Sequence, residues 1–225
     1  MAKLVQKSGY IKSGKASGYM RYIATREGVE KLAGNGSVTK GQRELIQKLL
    51  TDFPDAVELF EYEDYCKTPT LGTASAFITM ALDANLHGID SESGYMQYIA
   101  TRPRVQKYGS HGLFSSATAV DIASAMSELE AHEGNVWTII YSLRREDAAR
   151  LEFDNADAWR TLLMENAPTL AKSMKISLDN FHWYAAFHDE GHHPHIHMMV
   201  WSDDPKEGFL TKDGIAAMRS KLTNA

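Results

Sequence analysis

Apolar residues recur along the chain with two different periods, which predict helices in some segments and strands in others. Apolar positions three and four residues apart favour helices, and short alternating or β-branched apolar runs favour strands. Helices are predicted at Tyr19–Ala33, Lys40–Phe53, Thr73–Leu86, Ile122–His132, Asp157–Met164, Thr169–Met174 and Thr211–Leu222. Strands are predicted at Leu4–Ile11, Val136–Leu143, Phe181–Phe187 and His195–Trp201. Because helices and strands interleave without strict alternation, we expect an α+β fold, an antiparallel sheet with flanking helices.

The length of the chain fits one domain. Its 225 residues, 44% of them hydrophobic and 24% charged, are enough for one sizeable core with a helical elaboration. We therefore expect a single domain over residues 1–225 with a helical insertion around 38–93. Because the sequence stops directly after the last predicted helix, we also expect it to be the N-terminal part of a longer protein.

The cysteine content and the apolar segments of the sequence indicate the cellular compartment of the protein. The single cysteine, Cys66, excludes a disulfide scaffold and favours a reducing environment. The first residues lack the apolar segment of a signal peptide, and no apolar run has the length of a membrane span. These features predict a soluble protein of the cytoplasm.

The charge of the chain is unevenly distributed. The net charge of −5 argues mildly against a nucleic-acid partner, but residues 1–43 contain nine Lys or Arg against two Glu. Acidic residues concentrate directly afterwards, between Asp52 and Asp64. A basic face on an acidic protein is compatible with phosphate binding, and equally with two differently solvated surfaces.

One decapeptide occurs twice. Ser17–Arg26 recurs as Ser93–Arg102 with nine of ten positions identical, and both copies end in Tyr-Ile-Ala-Thr-Arg. A single recurrence does not make a solenoid. The two copies are either helix ends that serve packing or a device that places two tyrosines near one site.

Histidines cluster near the C-terminus, where five of the nine lie between His188 and His197. His195 and His197 are two residues apart on a predicted strand and therefore share a face. A hairpin would bring His188, at the end of the preceding strand, beside them. Three imidazoles that leave coordination positions open are typical of a catalytic metal site.

The other histidines of this region fit different roles. His192 and His193 lie in the predicted turn and are expected to face solvent or substrate, and His182 is interpreted as structural. Three imidazoles suit zinc, manganese, cobalt and nickel alike. Where a metal binds a phosphodiester oxygen, magnesium or manganese is the mechanistic expectation.

The string from His188 to His197 resembles the metal motif of HUH endonucleases. The name describes a histidine–hydrophobic–histidine triplet, here His195-Ile196-His197, which an earlier histidine completes. The Pro-His-x-His form is similar to mobilisation relaxases of the MobP/MobL type from Gram-positive bacteria. Both Tyr-Ile-Ala-Thr-Arg copies and the segment Gly109–Ser115 are also similar to this group, so the resemblance covers most of the chain.

The resemblance implies the HUH fold and the nicking and rejoining of one DNA strand at an origin of transfer, for mobilisation of a plasmid or integrative element. A tyrosine hydroxyl would attack the phosphodiester and leave a 5′-phosphotyrosyl link and a free 3′-hydroxyl. We expect Tyr22 to be this nucleophile, because it follows a predicted strand and lies in the basic segment, with Tyr98 as the second candidate. The metal, Mn²⁺ or Mg²⁺ with Zn²⁺, Co²⁺ or Ni²⁺ as alternatives, would be held by His188, His195 and His197.

The resemblance also implies partners. The substrate would be single-stranded DNA at an origin of transfer, and the expected protein partners are accessory relaxosome proteins and a type IV secretion coupling protein. Residues expected to contact DNA phosphates are Arg26, Arg102, Lys12 and Arg21.

Three other functions stay open at this point. A rolling-circle replication initiator or transposase of the same superfamily would use the same chemistry. A histidine-triad nucleotide hydrolase has alternating histidines as well, although Pro194 stands where that pattern requires a strand residue. A zinc-stabilised DNA-binding module would need a fourth protein ligand, for which Cys66 is a candidate.

Overall fold

A computed structural model describes residues 3–10, 36–85, 92–101, 105–107, 111–117, 119–191 and 193–224. The predicted helix Tyr19–Ala33 lies outside these residues. The chain divides into two compact units, one made of Met1–Ile11 with Asp90–Ala225 and the other of Lys12–Ile89. The expected arrangement, one domain with a helical insertion, stays a prediction.

A five-stranded sheet organises the first unit. Its strands are β1 (Val5–Tyr10), β2 (Leu113–Phe114), β3 (Trp137–Ser142), β4 (Phe181–His188) and β5 (His195–Ser202). They lie in the order β1-β3-β5-β4-β2, and every neighbouring pair is antiparallel. With its flanking helices the sheet confirms the α+β class predicted from the sequence.

The described residues form eight α-helices. In the second unit these are α1 (Lys40–Asp52), α2 (Phe60–Lys67) and α3 (Leu71–Asn85). In the sheet unit they are α4 (Glu92–Thr101), α5 (Ile122–Glu130), α6 (Arg145–Arg150), α7 (Ala156–Ser173) and α8 (Lys212–Thr223). None of these helices combines the length and the apolarity that crossing a membrane requires.

Polar side chains set the starts of several helices. The side chain of the residue before each helix accepts a hydrogen bond from a backbone N–H of the first turn, which would otherwise have no partner within the helix. The residues with this role are Thr39 before α1, Asp121 before α5, Asn155 before α7 and Thr211 before α8. These caps explain why the predicted starts of α1, α5, α7 and α8 lie within one residue of the observed ones.

The larger core lies on one face of the sheet. On β5 it receives Ile196, Met198 and Val200, which alternate with residues of the opposite face. The helices α7 and α8 pack against each other and contact β4 and β1, respectively, and α7 contributes Trp159 and Leu163. Burial of this apolar row orients β5, because each residue between two core residues must point to the other face.

A smaller core covers part of that other face. It joins Met199 and Trp201 of β5 to residues of α4 and α5, among them Met96, Ile99 and Leu129. The sheet is therefore covered on both faces, and the residues that alternate with the larger core are also removed from water.

Two segments that were predicted to be helical belong to one helix. Asp157–Met164 and Thr169–Ser173 lie in α7, which continues through Pro168 and ends just before Met174. A proline inside a helix removes one backbone hydrogen bond, here the bond to the carbonyl of Met164. Met164 is exposed, so water can reach this part of the helix, while apolar side chains on both sides of the proline are buried in the larger core.

We predict that Gly214→Ala destabilises the sheet unit by about 1–3 kcal/mol, the usual cost of overpacking. A Cβ at Gly214, in the first turn of α8, would clash with the backbone oxygen of Ser173 at the end of α7. Because that atom belongs to the backbone, it cannot rotate away. Urea denaturation measures the change.

Gly41→Ala is the matched control, because a Cβ at Gly41 in α1 meets nothing within 4 Å. It should raise the stability of the second unit by about 0.5–1 kcal/mol, since alanine loses less conformational freedom in a helix than glycine does. A Gly214→Ala protein as stable as the parent chain would contradict the close approach of α7 and α8.

Candidate metal centre

Three histidines meet on the sheet face opposite the larger core. The register of β4 and β5 pairs His188 with His195, and His197 follows two residues later on the same face. The ring centroids of His188 lie 5.2 Å from His195 and 4.6 Å from His197, and those of His195 and His197 are 5.0 Å apart. One nitrogen of each ring lies within 4.8 Å of one nitrogen in each of the other two rings. The hairpin therefore brings the three side chains together, and their role as metal ligands stays a prediction.

The hydrogen bonds of two rings select which nitrogen faces the centre. His188 Nε2 lies 2.9 Å from the carbonyl oxygen of Ile99, and His195 Nδ1 lies 3.0 Å from that of His193. A carbonyl oxygen only accepts, so these nitrogens carry the protons and donate them. The lone pairs are then on His188 Nδ1 and His195 Nε2. Metal-ligating histidines characteristically make such a hydrogen bond through their second nitrogen.

The donor set fits a divalent metal. All three side chains are 0% exposed, and neutral imidazole nitrogens bind zinc, manganese, cobalt and nickel. Within the described residues no carboxylate or thiolate joins the group. Three protein ligands leave further coordination positions for a substrate or water, as in catalytic rather than structural sites.

The neighbouring histidines have other surroundings. His182 lies on the same face of β4, but its Nε2 is 2.7 Å from Asp203 Oδ2 and its Nδ1 is 3.4 Å from Glu128 Oε1. His193 is buried, so it does not face solvent, and its carbonyl accepts the hydrogen bond of His195. His192 lies outside the described residues.

An arginine holds the loop that joins β4 to β5. Arg145, in the first turn of α6, donates through Nη2 to Asp189 Oδ1 and to the carbonyl of Glu190, both at 2.5 Å. Its Nε donates to the carbonyl of Gly191 at 3.1 Å. Since His188 and His195 flank this loop, Arg145 fixes the hairpin that pairs them. From the sequence, Arg145 could equally contact backbone phosphates or pair with the acidic residues that directly follow it, and its contact with this loop is created only by the fold.

The second copy of the repeat runs beside the histidines. Its Ile99, in α4, supplies the carbonyl that accepts the hydrogen bond of His188, and the carbonyl of Ala100 accepts one from the Gly112 N–H. Further along, Val105 forms an isolated β-bridge with His188. The backbone of Tyr98 lies in α4 directly before Ile99, so the two Cα atoms are about 3.8 Å apart. A backbone carbonyl leaves no signal in a sequence, which is why this contact was not foreseen.

The other predicted site residues cannot be placed in the same way. Tyr22, Lys12, Arg21, Arg26 and Arg102 lie outside the described residues, and of Tyr98 only the backbone is described. Tyr22 as nucleophile and the four basic residues as DNA contacts therefore stay predictions.

Two described tyrosines of the sheet are poor nucleophiles. Tyr184 lies on the histidine face, and its hydroxyl donates to Glu128 Oε2 at 2.9 Å. Burial and the neighbouring Glu128 carboxylate raise the pKa of Tyr184 to about 12. Tyr141 points into the larger core, where burial raises its pKa well above the usual value. Both phenols therefore stay protonated at neutral pH.

The comparisons with known proteins return one finding. The family model described as MobL relaxases matches residues 1–225. No curated protein and no solved structure matches the chain.

We predict that His195→Ala removes the metal. Mutation of a residue that only orients a metal ligand typically lowers metal affinity by about 10–100-fold. Loss of one of the three ligands themselves should lower the affinity by more than that. Elemental analysis of protein equilibrated with Mn²⁺ or Zn²⁺ measures the stoichiometry. His182→Ala is the matched control, because His182 shares the strand and face of His188 but contacts Glu128 and Asp203; unchanged metal content in His195→Ala would exclude the triad.

We also predict that Arg145→Ala lowers the affinity for the metal by about tenfold, which is the lower end of the range for residues that support the metal ligands without binding the metal. Arg145→Lys should lie in between, because one ammonium cannot span the three acceptors that the guanidinium fork reaches. A competition titration with a chelator measures the affinity. The control is Arg150→Ala in the same helix, where only the exposed pair with Asp147 is lost; equal affinities in all four proteins would show that the loop does not depend on Arg145.

Proposed function

This chain belongs to the MobL relaxase family, and we propose that it nicks one strand of DNA at an origin of transfer and later rejoins it. The observation that carries the proposal is the buried triad of His188, His195 and His197 with its open coordination positions. His188 of the triad is hydrogen-bonded to α4, which holds Tyr98–Thr101 of the second Tyr-Ile-Ala-Thr-Arg copy. A relaxase needs such a combination of a phosphate-binding centre and a nearby tyrosine.

The chain's own residues prepare the centre. The hydrogen bonds to Ile99 and His193 orient the rings of His188 and His195, so that each turns its other nitrogen towards the centre. A divalent ion held by the three rings, Mn²⁺ or Mg²⁺ with Zn²⁺, Co²⁺ or Ni²⁺ as alternatives, would neutralise charge on a phosphodiester oxygen. Because the rings are fully buried, part of the chain must move aside for a DNA strand to enter.

A tyrosine hydroxyl carries out the transfer. Its oxygen attacks the phosphorus, the bond between phosphorus and the 3′-oxygen breaks, and the 3′-oxygen takes up a proton. The products are a 5′-phosphotyrosyl link and a free 3′-hydroxyl, and attack by that hydroxyl reverses the reaction and rejoins the strand. A free phenol has a pKa of about 10, so the tyrosine must give up its proton to a base as it attacks.

Two tyrosines are candidates for this step. The place of Tyr22 after β1 and within the basic N-terminal segment supports it. The contact of its helix with His188 supports Tyr98. We keep Tyr22 as the first candidate and Tyr98 as the second, because the repeated string gives both the same local sequence.

The proposed setting is the bacterial cytoplasm during mobilisation of a plasmid or integrative element. The proposed substrate is single-stranded DNA, with Lys12, Arg21, Arg26 and Arg102 contacting its phosphates. Accessory relaxosome proteins and a type IV secretion coupling protein are the proposed protein partners.

The alternatives have less support. A replication initiator or transposase of the HUH superfamily would use the same centre, and the family match favours mobilisation. A histidine-triad hydrolase uses a histidine as nucleophile, whereas here two rings direct a lone pair to a shared centre. A zinc-stabilised module needs a closed fourth position, which no described carboxylate or thiolate supplies.

We predict that the chain forms a covalent adduct with single-stranded oligonucleotides that contain its nick site, in the presence of Mn²⁺ or Mg²⁺. The adduct should migrate more slowly in a denaturing gel, and peptide mass spectrometry should map the DNA to one tyrosine. Tyr22→Phe abolishes the adduct if our first assignment is right; an adduct that disappears only with Tyr98→Phe transfers the role to Tyr98.

Tyr184→Phe is the matched control, since Tyr184 lies on the histidine face but its hydroxyl donates to Glu128. It should leave the yield of adduct unchanged. Absence of any adduct over a broad set of oligonucleotides would contradict the proposed function.

A further inference from the structure

The outer edge of β4 beside His188 is covered by a short extended segment. Val105 forms an antiparallel bridge with His188, and the N–H of Gln106 donates to the carbonyl of Phe187 at 2.9 Å. On its inner edge, His188 pairs with His195 of β5. The end of β4 is therefore held on both sides, and we call Val105 and Gln106 the strap.

The side chain of Val105 lies beside the ring of His188. Directly opposed residues of an antiparallel pair point to the same face, with Cβ atoms about 4.5–5.5 Å apart. Val105 is half-buried and packs against the smaller core, which covers part of the histidine face. The ring of His188 thus has Val105 on one side and the ring of His195, at 5.2 Å between centroids, on the other. The valine therefore limits sideways movement of the His188 ring.

A glycine holds the strap against the end of α4. A Cβ at Gly112 would clash with the side chain of Val105, so only a glycine allows this close approach. The N–H of Gly112 also donates to the carbonyl of Ala100 in α4 at 2.8 Å. Gly112 belongs to the segment Gly109–Ser115, which the sequence singles out, and its contacts connect that segment to His188 through Val105.

The side chain of Gln106 anchors the strap on the opposite face of the sheet. Successive residues of an extended chain point to opposite faces, so Gln106 faces the side of the larger core, where α7 begins. Its Oε1 accepts a hydrogen bond of 2.7 Å from the N–H of Ala156, the first residue of α7. The first N–H groups of a helix have no partner within it, so this bond joins the start of α7 to the strap.

We propose that Val105 and Gln106 are positioning residues for the metal ligand His188. Gln106 ties the strap to α7, and Val105 holds the ring in the orientation in which Nε2 donates to the Ile99 carbonyl. Groups that orient a ligand change metal affinity without touching the metal. The inference rests on the metal centre of the proposed function and does not depend on the reaction with DNA.

The test measures Co²⁺ binding to the intact chain by absorption titration, because three imidazoles suit cobalt and its spectrum reports on the geometry of its ligands. Gln106→Ala and Val105→Ala should each raise the Co²⁺ dissociation constant by about tenfold, the lower end of the range for groups that orient ligands, and should change the spectrum. Gln106→Glu should stay within about twofold of the parent chain, because a carboxylate oxygen still accepts from Ala156 and suits a helix N-terminus.

Asn155→Ala is the matched control. Asn155 Oδ1 accepts from the N–H of Ala158 at 2.9 Å at the same end of α7, so this variant loses the same kind of hydrogen bond without touching the strap. Its melting temperature should fall at least as far as that of Gln106→Ala, while its Co²⁺ constant and spectrum stay those of the parent chain. Equal losses of affinity in the two variants would reduce Gln106 to a stabiliser of α7 and overturn the proposal.

A second measurement needs no metal. Proton–nitrogen correlation spectra of the chain labelled with ¹⁵N-histidine show which nitrogen of each ring carries the proton, and a His188→Ala spectrum assigns the ring. We expect Nε2–H in the parent chain, because the carbonyl of Ile99 accepts from that nitrogen, and a mixture of both tautomers in Gln106→Ala and Val105→Ala. Unchanged tautomers in both variants, together with parent-like Co²⁺ constants, would contradict the proposal, and so would absence of Co²⁺ binding by the parent chain.

The two proposals fail in different ways. If the Co²⁺ constants and tautomers shift as expected but no covalent adduct ever forms, the positioning role stands and the relaxase reaction does not. If adducts form and both variants keep the Co²⁺ constant and the tautomer of the parent chain, the relaxase reaction stands and the positioning role is wrong.

Discussion

The side-chain alternation of β5 is the constraint on which the rest of this structure depends. Its apolar residues Ile196, Met198 and Val200 are drawn into the larger core beneath α7, and the pleat then directs His195 and His197 to the opposite face. Antiparallel pairing with β4 brings His188 to the same place. A shift of one residue in either strand would exchange the core residues with the three histidines, so burial of the core and assembly of the histidine cluster depend on the same register.

Burial of the three rings imposes a second requirement. A buried imidazole needs hydrogen-bond partners, and for His195 and His188 these are backbone carbonyls of the adjoining loop and of α4, respectively. The bond from His188 to Ile99 connects the histidine cluster to α4, which holds Ser93–Thr101 of the second repeat. Arg145 stabilises the loop from another direction by spanning Asp189, Glu190 and Gly191. The orientation of the rings thus depends on the two strands, a helix of the smaller core and one guanidinium group.

Several elements could not be predicted from the spacing of apolar residues in the sequence. The helix α4 buries Met96, Ile99 and Ala100, but its sequence is short and mixed, and it lacks a clear apolar stripe; its packing over the sheet stabilises it. The strand β2 has two residues and exists only because β4 offers it hydrogen-bonding partners. The helix α7 continues through Pro168, because apolar side chains on both sides of the proline are buried in the larger core.

By itself, the sequence determined the period of β4 and β5, the identity of the three histidines, the capped helix starts and membership of the α+β class. These properties are local, since they follow from alternation and from side chains that bond within a few residues. Only the tertiary structure decided that the Ile99 carbonyl meets His188, that Arg145 holds the hairpin loop, and that Val105 and Gln106 lie along the end of β4. Each of these contacts joins residues far apart in the chain, and strand order, which periodicity does not encode, is what brings them together.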